Sequence, residues 1–539
     1  MTKKRLLTGV LAIALVLGMT VIGCPQDVPE KSRSSAADIL TFKIGDVTGT
    51  INGTEIQVRV PLSSSFDVEA VRPAITLSNG ATVSPATGIA ADFSKPVEYT
   101  VTAEDGTTKK KYTVSIVQIA VVTDGNLKAV LDKISKGGSY DIEMASNNIG
   151  FAPYTLPAGS YGKAKDITLH GSGTARTLGL SSSQKGYLFT VEQYVTLTLK
   201  DITLQGISDN NTALIKVKQF GNLVLESGAN ISGNTNTTTS DSLNSGGGVF
   251  LYDGTITING GEISGNSSSY SGGGIGVFMG GITLNSGKIS NNTAASYGGG
   301  VYGNITVNGG EISGNTGRAG GGVYGNVTIT GGAIKNNTAS SSTSLIRGGG
   351  GVSGKLTMSG GTIEGNSAVS TDARYPSQGG GVYSGKVLGG EDSVLSGGTI
   401  TNNTADQGGG IYVPASGSLM MSKDAIITPS TSTVCLEFYK GSTDTITNGS
   451  IGIAESLSGS GIIANLDISS YSSSGAPSLA FSEMIGKPIL TGNIDNSVIS
   501  RFVLGKYQYI SGDVLQNEEL ATKDGSGYSI AANGTLKKN

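Results

Sequence analysis

Tryptophan is absent, histidine occurs once and cysteine twice, and only 14% of the 539 residues carry charge. With His170 as the sole imidazole, histidine-based triads and histidine-built metal centres have almost no material, and the residue reads as structural or solvent-exposed. Cys435 has no histidine near it in sequence and reads as a packed residue. Long apolar runs are missing after Leu6 to Ile22, so no later segment can cross a bilayer as a helix. Positive charge is not in excess either. The chain has 37 basic against 40 acidic residues, a formal charge of −3, and loss of Lys3, Lys4 and Arg5 with a leader would take it to −6. Such a balance gives no general attraction for nucleic acid or an anionic membrane.

Glycine, by contrast, is abundant, with 84 copies. From about Gly246 to Tyr412 one pattern recurs seven times: glycines, a β-branched residue, an apolar-Thr-apolar strand, a small-residue turn, an isoleucine and an Asn. The β-branched residues are Val249, Ile275, Val301, Val323, Val352, Val382 and Ile411, at intervals of 26, 26, 22, 29, 30 and 29. A period in this range with alternating apolar positions implies a solenoid of short parallel strands, none long enough to stand alone. Alternation points Ile256, Ile258 and Ile263 inward, and equivalent triplets in later units stack on them as aliphatic columns. The recurrent Asn234, Asn266, Asn292, Asn315, Asn337, Asn366 and Asn403 fall at one turn, where stacked amides can bond unit to unit.

The Gly-Gly-Gly-Val-Tyr and Ile-Ser-Gly-Asn-Thr units resemble the repeats of bacterial surface proteins, similar to those of the polymorphic outer-membrane protein family. That resemblance implies an all-β fold, a right-handed parallel β-helix of the pectate-lyase-like kind. It implies little about function, because the fold carries adhesins, passenger domains and polysaccharide lyases alike.

The remaining chain frames this array. Residues 1–23 read as an export leader, with Lys3, Lys4 and Arg5, an apolar core, and Val21-Ile22-Gly23-Cys24 resembling a lipobox. Cys24 then carries the lipid, and no intramolecular disulfide is possible. Residues 24–37 form a polar tether. Residues 38–118 are short alternating runs with turn residues between them, a small β-sandwich. Its Tyr99 to Gly106 and Tyr112 to Val114 stretches resemble bacterial immunoglobulin-like spacer domains. A helix over 124–134, capped by Asp124 with Leu127, Val130, Leu131 and Ile134 on one face, is expected to cover the open end of a β-helix running over 121–539.

Catalytic material is sparse: strand positions hold Thr, Ser, Ile and Gly, and the glycine triplets lack the Lys-Ser/Thr of a phosphate loop. No catalytic residue, metal site or cofactor is expected. The residue after each β-branched position forms a column of Phe250, Gly276, Tyr302, Tyr324, Ser353, Tyr383 and Tyr412, and Tyr302, Tyr324, Tyr383 and Tyr412 are candidate contacts for a sugar or protein. The expected protein is a non-enzymatic, lipid-anchored outer-membrane surface protein displaying a β-helix rod for adhesion. Its partners are the membrane, through the lipid, and a host or matrix protein or glycan. The alternatives are a polysaccharide lyase or glycoside hydrolase, which would need carboxylates converging in the less regular units, and a structural envelope spacer.

Overall fold

The computed structural model describes residues 32–123, 125–239, 245–341, 348–372, 375–385, 392–415, 417–427, 433–440, 446–448, 450–457, 464–472, 484, 487–492, 502–511, 514–519 and 528–539. The leader, Cys24 and the helix cap Asp124 lie outside these residues. The described chain is nearly all β, and no helix in it is long and apolar enough to cross a membrane.

The first strands are β1 (Ile39–Ile44), β2 (Glu55–Pro61), β3 (Ala74–Leu77), β4 (Val97–Thr102) and β5 (Lys109–Val122). β1 pairs antiparallel with β3, while β5 lies antiparallel to β4 and parallel to β2. Between the two sheets sits a separate core centred on Phe42, Phe93 and Tyr99, with the Phe42 and Tyr99 rings edge-on at 5.4 Å. β2 alternates strictly, burying Ile56, Val58 and Val60 and leaving Glu55, Gln57 and Arg59 on the outer face. The end of the expected tether is part of this unit. Ala37 is buried in its core, and the Ser34 N–H donates to Glu104 Oε2 at 3.0 Å.

No break occurs at the expected boundary of 118–121. β5 runs on to Val122, and its last six residues pair in parallel with β6 (Gly138–Met144), Val117 opposite Ser139 through Val122 opposite Met144. Leu62 reaches across into the larger core, and Glu69 takes Lys136 and Lys163 at 3.0 and 2.7 Å. Those hydrogen bonds, Lys163 first, hold the Glu69 carboxyl below its usual range. A continuous sheet, a shared apolar contact and a three-residue ion cluster therefore join the two units.

The expected helix contracts to α1 (Leu127–Leu131), because the bonds from the Lys133 and Ile134 N–H groups to Val130 and Leu131 are of the tighter i→i+3 kind. Its face is nonetheless buried, with Leu127, Val130, Leu131 and Ile134 all in the larger core.

β7 (Lys165–Gly171) stacks in parallel on β6, and β8 (Val195–Lys200) on β7. The same rule then governs the repeats: each strand pairs in parallel with its equivalent one unit later. Ile256, Ile282, Ile305, Val327 and Leu356 stand in one register row; Ile258, Leu284, Val307, Ile329 and Met358 in the next; Ile263, Ile289, Ile312, Ile334, Ile363 and Ile400 in a third. All are at most 3% exposed, so the three rows form one apolar interior. Parallel pairing continues through Thr433–Lys440 and Ala464–Ser472 to Phe502–Ser511, and Leu466, Ile468, Phe502 and Leu504 belong to the same core.

Candidate functional site

Strand alternation produces a polar cleft where the first unit meets the first repeats. On β6 it buries Tyr140 and Ile142 and turns Ser139, Asp141 and Glu143 outward; on β7 it buries Ile167 and Leu169 and turns Asp166, Thr168 and His170 outward. Parallel register places Glu143 and Lys200 on either side of His170, and Asp141 beside Thr168. With Gln57 and Arg59 from β2 and Asp201 after β8, these side chains line a cleft of about 610 Å³.

Asp141 organises it. Its Oδ1 lies 2.9 Å from His170 Nε2, and its Oδ2 accepts from Arg59 Nη2. The second imidazole nitrogen, Nδ1, lies 3.1 Å from the Gly171 carbonyl oxygen, so both faces of the ring edge are tied. Arg59 and His170, 111 positions apart in the chain, meet through one carboxylate. The sole histidine thus stands in a polar cluster that its sequence context did not announce. Four carboxylates, two permanent cations and an imidazole face one open space, an arrangement suited to pairing a ligand's hydroxyl groups. Among the described residues no group of three or more His, Cys, Asp or Glu side chains is arranged to hold a metal ion.

The expected tyrosine column exists as a register row, from Phe250 through Gly276, Tyr302, Tyr324, Ser353 and Tyr383 to Tyr412, but its exposure differs from the expectation. Tyr302 and Tyr324 are half-buried and stacked at 5.8 Å, with Tyr297 against Tyr324 at 4.5 Å. Tyr383 and Tyr412 are 7% and 1% exposed and cluster with Cys435, so neither presents a ring to a ligand. Burial pushes the Tyr412 phenol and the Cys435 thiol well above their usual values.

The recurrent asparagines are buried and bonded in series. Asn315 shows the pattern: its N–H and Nδ2 donate to Asn337 Oδ1 at 3.0 and 2.9 Å, Nδ2 also donates to the Ile289 carbonyl, and its own Oδ1 accepts from Asn292 N–H and Nδ2. Equivalent bonds run from Asn234 to Asn266, Asn292, Asn337, Asn366 and Asn403. The series begins earlier than the repeats do, since Asn210 Nδ2 donates to Asn234 Oδ1 at 3.0 Å. From Asn234 onward the residue before each Asn has positive φ, which explains why only glycine and asparagine occur there: Gly314 at +64°, Asn336 at +54°, Gly365 at +64° and Asn402 at +55°. An exposed counterpart, Asn308 to Asn285 to Asn259 at 2.9 Å each, escaped the sequence reading although the three share one offset in their units.

Residues 39–116 match the N-terminal family of SGBP, the surface glycan-binding proteins. The match ends within β5, just before that strand joins β6, so it takes in Gln57 and Arg59 and leaves out the rest of the cleft. A solved structure from Bacteroides thetaiotaomicron, a protein named as a candidate glycoside hydrolase, is 37% identical over 17% of this chain with a TM-score of 0.15. The present chain spans 28% of that protein's length, and a likeness of that extent carries no argument about activity. No curated protein matches the chain.

Proposed function

We propose that this is a glycan-binding protein of the cell surface, with the cleft between β2, β6, β7 and β8 as its binding site. The match of residues 39–116 to the SGBP N-terminal family carries the reading. The cleft supports it chemically. Arg59 and Lys200 supply donors, Glu143, Asp166 and Asp201 supply acceptors, and Asp141 is held in place before any ligand arrives, so little ordering cost falls on binding.

In this reading residues 1–23 are removed, Cys24 carries the lipid in the outer membrane, and 38–118 is an immunoglobulin-like spacer. The repeats from residue 121 onward wind as a right-handed parallel β-helix with α1 across its first turn. Support for the winding comes from the parallel pairing of each strand with its equivalent one unit later, since parallel crossovers are right-handed in nearly all folds. A second reading, a glycoside hydrolase or lyase, is favoured by the convergence of Asp141, Glu143, Asp166 and Asp201 on one cleft.

Affinity electrophoresis of the full chain, with Cys24→Ser to keep it soluble, through gels containing neutral and acidic polysaccharides tests the first reading. Retardation in at least one glycan gel, with no release of new reducing ends on incubation, is expected. Free migration in all of them contradicts glycan binding, and reducing ends or unsaturated products would move the second reading to the front.

A further inference from the structure

Lys216 stands in register between Thr190 and Phe250, and its Nζ lies over three aromatic rings: Tyr187 at 5.4 Å, Phe250 at 5.7 Å and Tyr252 at 5.4 Å. Among the described residues no carboxylate is within ion-pair distance of it. Glu192, the acid acting on it electrostatically, is already bound by Lys218. A part-buried ammonium with ring faces as its contacts retains unmet demand for an anion. Burial first, and Lys218 second, lower its proton affinity, consistent with that deficit.

Just past its register row, in its own and the neighbouring units, lie two stacked aromatic pairs. Tyr252 and Phe278 are nearly parallel, 8° and 5.4 Å apart, and are 39% and 44% exposed. Tyr194 and Phe220 are 17° and 5.3 Å apart, with Phe220 54% exposed. The row Val191, Val217, Leu251 and Val277 runs through four successive units, and each aromatic follows it by one or three residues, so all four occupy the same corner. Tyr194 and Phe220 also hold φ of +56° and +57°. Every other described non-glycine residue with positive φ is Asn or Asp, the types that tolerate it best, whereas a bulky ring there costs on the order of 1 kcal/mol or more. Stacking of the two rings on each other offsets part of that strain and leaves the Phe220 ring exposed.

Resting on the glycan-binding reading, we infer that this corner is a second subsite, selective for acidic glycans. The apolar faces of sugar rings lie against Phe220, Tyr252 and Phe278, and a sugar carboxylate or sulfate pairs with Lys216. Neutral glycans can use the rings but leave the ammonium unpaired.

Titration calorimetry of the full chain with polygalacturonate, a sulfated polysaccharide and a neutral glucan tests this. At least one acidic polymer is expected to bind about tenfold more tightly than the neutral one, and that preference to fade with added salt. Lys216→Met should collapse the ratio of acidic to neutral affinity toward one, Lys216→Arg should restore it, and Phe278→Ser, an exposed change, should weaken acidic binding without altering the melting curve. The carboxylated and sulfated polymers identify which anion is read. Equal affinities for neutral and acidic glycans, unchanged in Lys216→Met and Phe278→Ser, overturn the acidic subsite while leaving glycan binding intact. Absence of binding to every polymer removes the glycan-binding reading and the subsite with it.

Discussion

Asn315→Leu is expected to destabilise the repeats by about 3 kcal/mol or more, since each buried polar group left unpaired costs about 1–3 kcal/mol. Leucine is nearly isosteric, so packing is retained. The N–H and Nδ2 of Asn292 lose their shared acceptor, Asn337 Oδ1 loses one of its two donors because the residue 315 N–H remains, and the Ile289 carbonyl loses its side-chain donor. Because stacked repeats can open locally, amide exchange near Asn292 and Asn337 reports the effect better than one global midpoint. Asn308→Leu, in the exposed series, is the control and should change stability by no more than about 0.5 kcal/mol. Equal protection in the two variants would mean that the buried amides contribute no more than the exposed ones.

Gly321→Ala should be nearly as damaging, at about 3 kcal/mol, by a mechanism unrelated to backbone angles. Its φ is ordinary, yet a Cβ there would sit 2.4 Å from the Thr338 carbonyl group and 2.5 Å from the Gly350 oxygen, all of them backbone atoms that cannot turn aside. Adjacent units would have to part. Gly281→Ala is the matched control: a Cβ there meets nothing within 4 Å, and the change should be neutral or stabilising by up to about 1 kcal/mol. Thermal unfolding of both variants decides it, and a Gly321→Ala chain melting with the parent would show that the close approach is relieved at little cost.

These two cases also show what was readable in advance. The apolar rows and the asparagine series were legible because each depends on one residue type returning at a fixed offset. The glycines were legible as a pattern but for an incomplete reason. In most triplets the first takes positive φ, as Gly320 does at +63°, while the middle one is required by the neighbouring unit's backbone. Asn210 was missed because no glycine triplet accompanies it. The tyrosine column was placed in the correct row, but alternation assigns a side chain to a face and says nothing of what lies over that face; Tyr383 and Tyr412 are covered. The cleft was invisible for a different reason. Gln57, Arg59, Asp141, Asp166, His170 and Lys200 share no motif and become neighbours only through parallel register, which a linear reading does not supply. The aromatic corner was hidden similarly, since Tyr194 and Phe220 sit three residues beyond the register row and Tyr252 and Phe278 only one.

The proposed binding of glycan in the cleft beside Asp141 can be tested at two of its side chains. Asp166 and Lys200 are both exposed, so the double variant Asp166→Ala, Lys200→Ala should fold as the parent does. Calorimetric titration of parent and double variant with a neutral glycan that retards the parent is the most direct measurement. An affinity loss of at least about tenfold with an unchanged melting curve is the predicted result, the loss of one or more charged hydrogen bonds to the ligand. Undiminished affinity in the double variant would contradict the claim and place the binding site elsewhere on the chain.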